Sequence, residues 1–333
     1  MSASTSAPRI RAILSSTWFR LAARSLVGIV VLVAVIAQVG SEPFLQGLSS
    51  IDLRVIALAL ALSFVATVAA AWRWSIIAGR LGVGLPLRQA VGRYYRSQFF
   101  NTVLPGGVVG DVQRAVTQGR DAGNVAQGAR AVVIERTMGQ VVQIVLAVVV
   151  LAGFGLEFEG YVLPALGIVL AVIALAVFVT AATSARARRA LRRELGELSA
   201  GVGSPGALVR VVVASVLVVG CHVATLGVAV AAVGASVPPL RLAALALVIL
   251  LAASIPFNVG GWGPREGIAG WTFAVAGLGA ATGVAASALF GVLAMIAVAP
   301  GLVLAVASAV RHPRTREPAP GVVLAGARGR VDS

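Results

Sequence analysis

The chain has no lysine, a single cysteine, two histidines and only 12 acidic residues in 333 positions. Each shortage excludes something. One cysteine, Cys221, leaves no intramolecular disulfide, and its place inside an apolar run marks it as packing. Two histidines, His222 and His312, give little material for a His-based triad or a metal cluster. No Gly-rich phosphate loop opens a helix and no nucleophile elbow is present. A single-chain ATP-driven pump is therefore excluded, no catalytic or metal-binding residue is nominated, and no cofactor is expected. The use of arginine alone as the basic residue is read as coding composition and carries no mechanism.

Charge of either sign is scarce as well. Charged residues make up 12% of the chain, against roughly a quarter in soluble domains. Hydrophobic residues make up 59%, and the mean hydropathy is +0.96. Water is not the main solvent of such a chain. Apolar runs of about 20 residues, enough to cross a hydrocarbon core, recur along its length. Full spans are expected at 22–40, 53–72, 131–152, 161–183, 208–233 and 283–309. The expected fold class is all-α integral membrane, a polytopic bundle of about 6–8 spans. A basic arm over 1–20 precedes a membrane domain over 21–310, and a basic tail occupies 311–333. The arm resembles a signal peptide with a long n-region, but an uncleaved first span is the preferred reading.

The net charge of +15 would suggest nucleic acid in a soluble protein. Here the arginines lie between apolar runs and at the two ends, so they read as topology signals. The N-terminal arm, the stretch from Arg73 to Arg96, the run Arg186, Arg188, Arg189, Arg192, Arg193 and the tail belong inside a bacterial cytoplasmic (inner) membrane. The segments near Glu42, Glu157 and Pro238 belong outside. Both termini are then cytoplasmic. Trp72, Trp74, Tyr94 and Tyr95 sit where an aromatic belt is expected and are read as anchors.

Two segments, about 94–125 and about 240–280, are apolar on average yet broken by Pro and Gly. The first break reads Leu104-Pro105-Gly106-Gly107-Val108-Val109-Gly110-Asp111. The second reads Pro256-Phe257-Asn258-Val259-Gly260-Gly261-Trp262-Gly263-Pro264-Arg265-Glu266. Each is read as a re-entrant pair of half-helices, with two short spans as the alternative for the second. Similar breaks in the two halves suggest an inverted repeat and point to a transporter's binding site.

Non-helical backbone at membrane depth requires protein or water around it, so the breaks imply a cavity. A half-helix that starts there directs free N–H groups and its positive dipole end at that cavity, a setting for phosphate or carboxylate. Asp111 is expected at one N-cap, with Arg114 one turn on. Gly263 is expected at the other, followed by Pro264 at the first helical position. Arg265 and Glu266 would lie at the cavity's edge. Glu135 and Arg136, near the inner end of a span, fit either a functional pair or an interfacial one. A lone His222 in an apolar helix is more simply satisfied by a neighbour than engaged in proton coupling.

The order of these motifs resembles the lysylphosphatidylglycerol synthase/flippase transmembrane-region family. The stretch Leu104 to Arg114, then Glu135-Arg136, then Pro256 to Gly267 carry the likeness, which covers about 20–310. The resemblance implies a membrane region that moves an aminoacylated lipid between leaflets, joined in the best-known members to a cytoplasmic transferase. Only a short basic tail follows Val310 here, so lysyl-lipid synthesis is not carried over. It further implies a lipid headgroup near the two breaks. The site would comprise Pro105, Gly106, Gly107, Gly110, Asp111, Arg114, Glu135 and Arg136 from the first half. Pro256, Gly260, Gly261, Gly263, Arg265 and Glu266 would serve from the second. The expected activity is a flippase for a phospholipid or glycolipid, with membrane lipids as partners. Two rivals are a lipid-modifying transferase using Asp111 or Glu135 and a membrane subunit docking a separate soluble synthase.

Overall fold

The computed structural model describes residues 30, 33, 35–104, 107–154, 159–254 and 263–311. Among these every regular element is a helix. A short helix α1 (Glu42–Ser49) is followed by α2 (Leu53–Arg80), α3 (Leu87–Val103), α4 (Val109–Asp121), α5 (Val125–Phe154) and α6 (Glu159–Thr183). Then come α7 (Ala185–Val202), α8 (Pro205–Ala232), α9 (Pro239–Ala253), α10 (Pro264–Val275), α11 (Ala280–Ala297) and α12 (Ala299–Arg311). The chain is an all-α, multi-pass membrane protein.

Helix starts follow local chemistry. Asp52 caps α2 by accepting the Val55 N–H at 2.7 Å. Ser184 and Ser204 cap α7 and α8, and Pro205, Pro239 and Pro264 occupy first-turn positions where no N–H is needed. Five stretches are long and apolar enough to cross a bilayer: Leu53–Arg80, Val125–Gly153, Gly160–Thr183, Pro205–Ala232 and Ala280–Ser308. They coincide with five of the six expected spans. The sixth, 22–40, falls largely outside the described residues, of which 35–39 are helical. The basic arm and the tail beyond Arg311 also lie outside them.

Helices α2 and α8 pack antiparallel at the centre. The early part of α2 (Val55, Ala59) shares a core with the late part of α8 (Leu226, Ala229, Val230), and the late part of α2 (Trp74, Ile77) with Val211 near the start of α8. Buried alanines at 66, 69, 70 and 71 and at 207 and 214 let the two backbones approach closely, as expected without a hydrophobic force between helices in lipid.

Each of these helices opens a similar series. A 28-residue helix (α2 or α8) is followed by a hairpin of two short helices (α3/α4 or α9/α10), then by a long apolar helix (α5 or α11). The interval from the start of α2 to that of α3 equals the interval from α8 to α9, and α4 to α5 equals α10 to α11. Gly128 and Gly283 are both the fourth residue of their helix. A Cβ at either would stand 2.6 Å from the Ala115 carbonyl oxygen or 2.3 Å from that of Ala269, each in the hairpin's second helix. Because α2 and α8 run antiparallel, the two series enter from opposite faces, which is the geometry of an inverted repeat. The α10 helix has 12 residues and extends about 18 Å, less than the length of a bilayer crossing.

Candidate functional site

The carboxylate of Glu135, fully buried on α5, is the centre of a charged cluster. Arg73 on α2 donates to its Oε1 through both Nε, at 3.0 Å, and Nη2. Arg114 on α4 donates from Nη2 to Oε2 at 2.6 Å, and the Tyr94 hydroxyl on α3 donates to Oε1 at 3.3 Å. The remaining Nη1 of Arg73 reaches Ser215 Oγ on α8 at 2.9 Å. Four helices of the first half and one of the second are thus tied together. The Arg114 guanidinium is also sandwiched, 4.8 Å from the Trp74 ring and 4.5 Å from that of Tyr94.

Asp111 extends the cluster. It accepts from Arg114 Nε at 3.0 Å, from Arg136 Nη2 at 2.9 Å and from Ser97 Oγ at 3.1 Å. It is not the N-cap expected from sequence: Val108 holds that position, and Asp111 is the third helical residue. The local amide is satisfied otherwise, by Asn101 Oδ1 accepting the Gly110 N–H at 2.8 Å. The Asp111 side chain is therefore free to hold Arg136, whose own side chain remains 47% exposed.

That exposure is toward two adjoining cavities of about 270 and 360 Å³. Both are walled by Arg136, Gln98, His222 and Phe290. Asn101, Thr102 and Gly107 add to the first, and Gln140, Gln143 and Ser254 to the second. No carboxylate lines either among the described residues. Three guanidiniums in the cluster face two carboxylates, so a net positive charge with one accessible guanidinium borders a space lined with amides. Such a space suits an anion. His222 Nδ1 lies 2.7 Å from the Val218 carbonyl, so the ring has a neighbour as well as a cavity face.

The second break builds a smaller cluster. Glu266, fully buried, accepts the Gly263 N–H on Oε2 at 2.7 Å and the Arg265 Nε on Oε1 at 2.9 Å. Gly263, at φ +119°, is the N-cap of α10, as the sequence predicts, with Pro264 beside it. Glycine has no side chain to return a bond, so the contact runs one way, from the Gly263 N–H to the carboxylate. Ser287 on α11 bridges Arg265 and Glu266 at 3.1 and 3.3 Å. Arg265 and Glu266, 4% and 0% exposed, lie inside the protein, and neither lines the two cavities above. Arg265 does sit 5.4 Å from the Phe290 ring, whose residue walls both cavities, so the second cluster stands behind that wall.

A family model described as "Lysylphosphatidylglycerol synthase TM region" matches residues 21–301. The chain belongs to that family. No curated protein and no solved structure gives a match. Within this member of the lysylphosphatidylglycerol synthase transmembrane-region family, the fold brings Asp111, Arg114, Glu135 and Arg136 into one cluster, with Gly110 packed against Ser97 beside it and Gly107 on the wall of the first cavity. It gathers Gly263, Arg265 and Glu266 into the other. Pro105, Gly106, Pro256, Gly260 and Gly261 lie outside the described residues.

Sequence reasoning missed Arg73, which it counted as a topology signal but which is 5% exposed. It also misread Trp74, Tyr94 and Tyr95 as membrane anchors. They are 0%, 3% and 8% exposed and form part of the protein's interior, two of them against Arg114. The available signal was the spacing Arg73-Trp74 and Tyr94-Tyr95, which puts aromatic and cationic groups on two helices that a short loop forces together.

Proposed function

We propose that the protein moves the polar headgroup of a phospholipid or glycolipid between the leaflets of the bacterial cytoplasmic membrane, with its acyl chains left in hydrocarbon. One observation carries this reading. The polar cavity shares Gln140 and Ser254 with a groove of about 720 Å³ between α5, α6, α9 and α10, whose lining is otherwise almost entirely apolar. An anion-favouring chamber that shares a wall with an apolar groove matches an amphiphile, not a soluble solute. The groove exists because α6 packs loosely: none of its most apolar window is buried. Tyr161 and Trp271 meet edge to face at 6.4 Å beside it, an amphipathic pair that suits one end of a lipid groove. The antiparallel halves supply the symmetry that alternating access uses. The arginine distribution supports a cytoplasmic position for both termini.

The experiment is headgroup translocation in liposomes holding the purified protein, with short-chain fluorescent anionic, zwitterionic and aminoacylated lipids. Arg136→Ala removes the accessible guanidinium while Asp111 keeps Arg114 and Ser97. Transport of anionic lipid is expected to fall by at least about tenfold, the worth of one charge-assisted contact, with the melting temperature little changed. Unchanged transport in this variant would overturn the cavity reading.

A second reading has its own observation. Helix α7 exposes Arg186, Arg188, Arg189, Arg192 and Arg193, a surface for anionic headgroups or for a soluble lipid-modifying synthase. Absence of transport for every lipid by the unaltered protein would favour this docking role.

A further inference from the structure

A third recess shares no lining residue with the two cavities. Arg93 and Arg96 on α3 and Gln113, Arg114 and Thr117 on α4 surround a space of about 10 Å³, the room of a single water molecule. Three guanidiniums converge on it. Arg93 is paired with Asp121, and Arg114 with Asp111 and Glu135. Arg96 has no carboxylate partner among the described residues. Two buried guanidinium nitrogens here, Arg96 Nε and Arg114 Nη1, have no hydrogen-bond partner, although the Arg114 side chain is only 1% exposed. A buried charged donor left unmade is costly, and two at one recess are not expected of packing alone.

We infer that this recess is a binding site for a phosphate group. One phosphate oxygen seats between Arg96 Nε and Arg114 Nη1, and the rest of the group lies at the mouth against Arg93, Gln113 and Thr117. Guanidinium forks match a tetrahedral oxyanion that offers several acceptors at once, whereas a neutral ligand would leave Arg96, beside Arg93 and without a carboxylate of its own among the described residues, uncompensated. The same chemistry is offered by a lipid headgroup phosphate and by free phosphate. The site is independent of the transport reading, but it is coupled to the cavity through Arg114, which holds Asp111 and through it Arg136.

The test uses the full chain, purified in detergent, with two probes. Equilibrium binding of labelled inorganic phosphate reports the free anion, and native mass spectrometry with added phosphatidic acid reports the lipid. Two variants are compared with the unaltered protein: Arg96→Gln removes a donor, and Thr117→Leu fills the mouth while keeping all three charges. One bound equivalent is expected, with affinity roughly tenfold weaker in both variants. Loss seen with inorganic phosphate identifies a free-anion site, and loss seen only with phosphatidic acid identifies a headgroup site. No bound equivalent of either probe on the unaltered protein, or unchanged affinity in both folded variants, would overturn the assignment.

Discussion

Glu135→Gln is expected to be the most damaging single replacement in the protein, lowering stability by about 3–5 kcal/mol, the range seen when one partner of a buried ion pair is removed. Its carboxylate is fully buried and holds two guanidiniums, themselves 6% and 1% exposed, so the amide would leave the nearly buried Arg73 without its counter-charge. Arg114 would retain Asp111. A loss of that size is a large share of the stability of a typical domain, about 5–15 kcal/mol. Fluorescence-detected gel filtration after heating should show the variant aggregating far below the unaltered protein. Pairing Glu135→Leu with Arg73→Met, which removes charge from both sides, should recover part of the difference. A Glu135→Gln melting temperature within a degree of the original would mean that the cluster is not what ties the helices together.

Gly110→Ala is expected to open the first hairpin. A Cβ at this position would stand 1.9 Å from the Ser97 carbonyl oxygen, 2.6 Å from its carbon and 2.7 Å from its Cα. These are backbone atoms, so no rotamer change relieves the contact, and α3 and α4 must separate. Separation breaks the Ser97 bond to Asp111 and moves Asp111 away from Arg136, so lipid translocation should be abolished along with a stability loss of at least about 1–3 kcal/mol. Gly92 on α3 is the internal control, because a Cβ there meets nothing within 4 Å. Gly92→Ala should be neutral or stabilising by roughly 0.5–1 kcal/mol. Equal behaviour of the two variants would contradict the close approach at Gly110.

Much of this architecture was legible in the sequence because membrane burial leaves few choices. A run such as 208–233 has enough apolar length to cross, and Ser204-Pro205 marks where its helix begins. The two Pro/Gly breaks announced the two hairpins, and Gly263-Pro264 announced the start of α10. Which charges meet was not legible. Arg73 reads in sequence as one of a string of positive-inside signals, and its burial depends on Glu135, 62 residues on, and Ser215, 142 residues on. Trp74 and Tyr94 likewise look like interfacial anchors until α2 and α3 are placed around Arg114. Asp111 was misplaced by three residues because Asn101, from the preceding helix, takes over the amide that a cap would serve. Arg265 and Glu266 look accessible beside a glycine-rich break, yet the carboxylate is turned inward to the Gly263 N–H.

The most direct test of the lipid reading is photocrosslinking with one lipid carried in two forms, one with the reactive group on the phosphate-linked headgroup and one with it at mid-acyl chain. Peptide mapping after irradiation in liposomes locates each end. The headgroup probe is expected to label the cavity wall around Gln143 and His222, and the acyl probe the groove around Ile173 and Trp271, with labelling by both reduced in Gln140→Trp, which puts a bulky ring at a residue lining both spaces. Headgroup labelling confined to the exposed arginines of α7, with none in the cavity, would contradict a headgroup path through the protein.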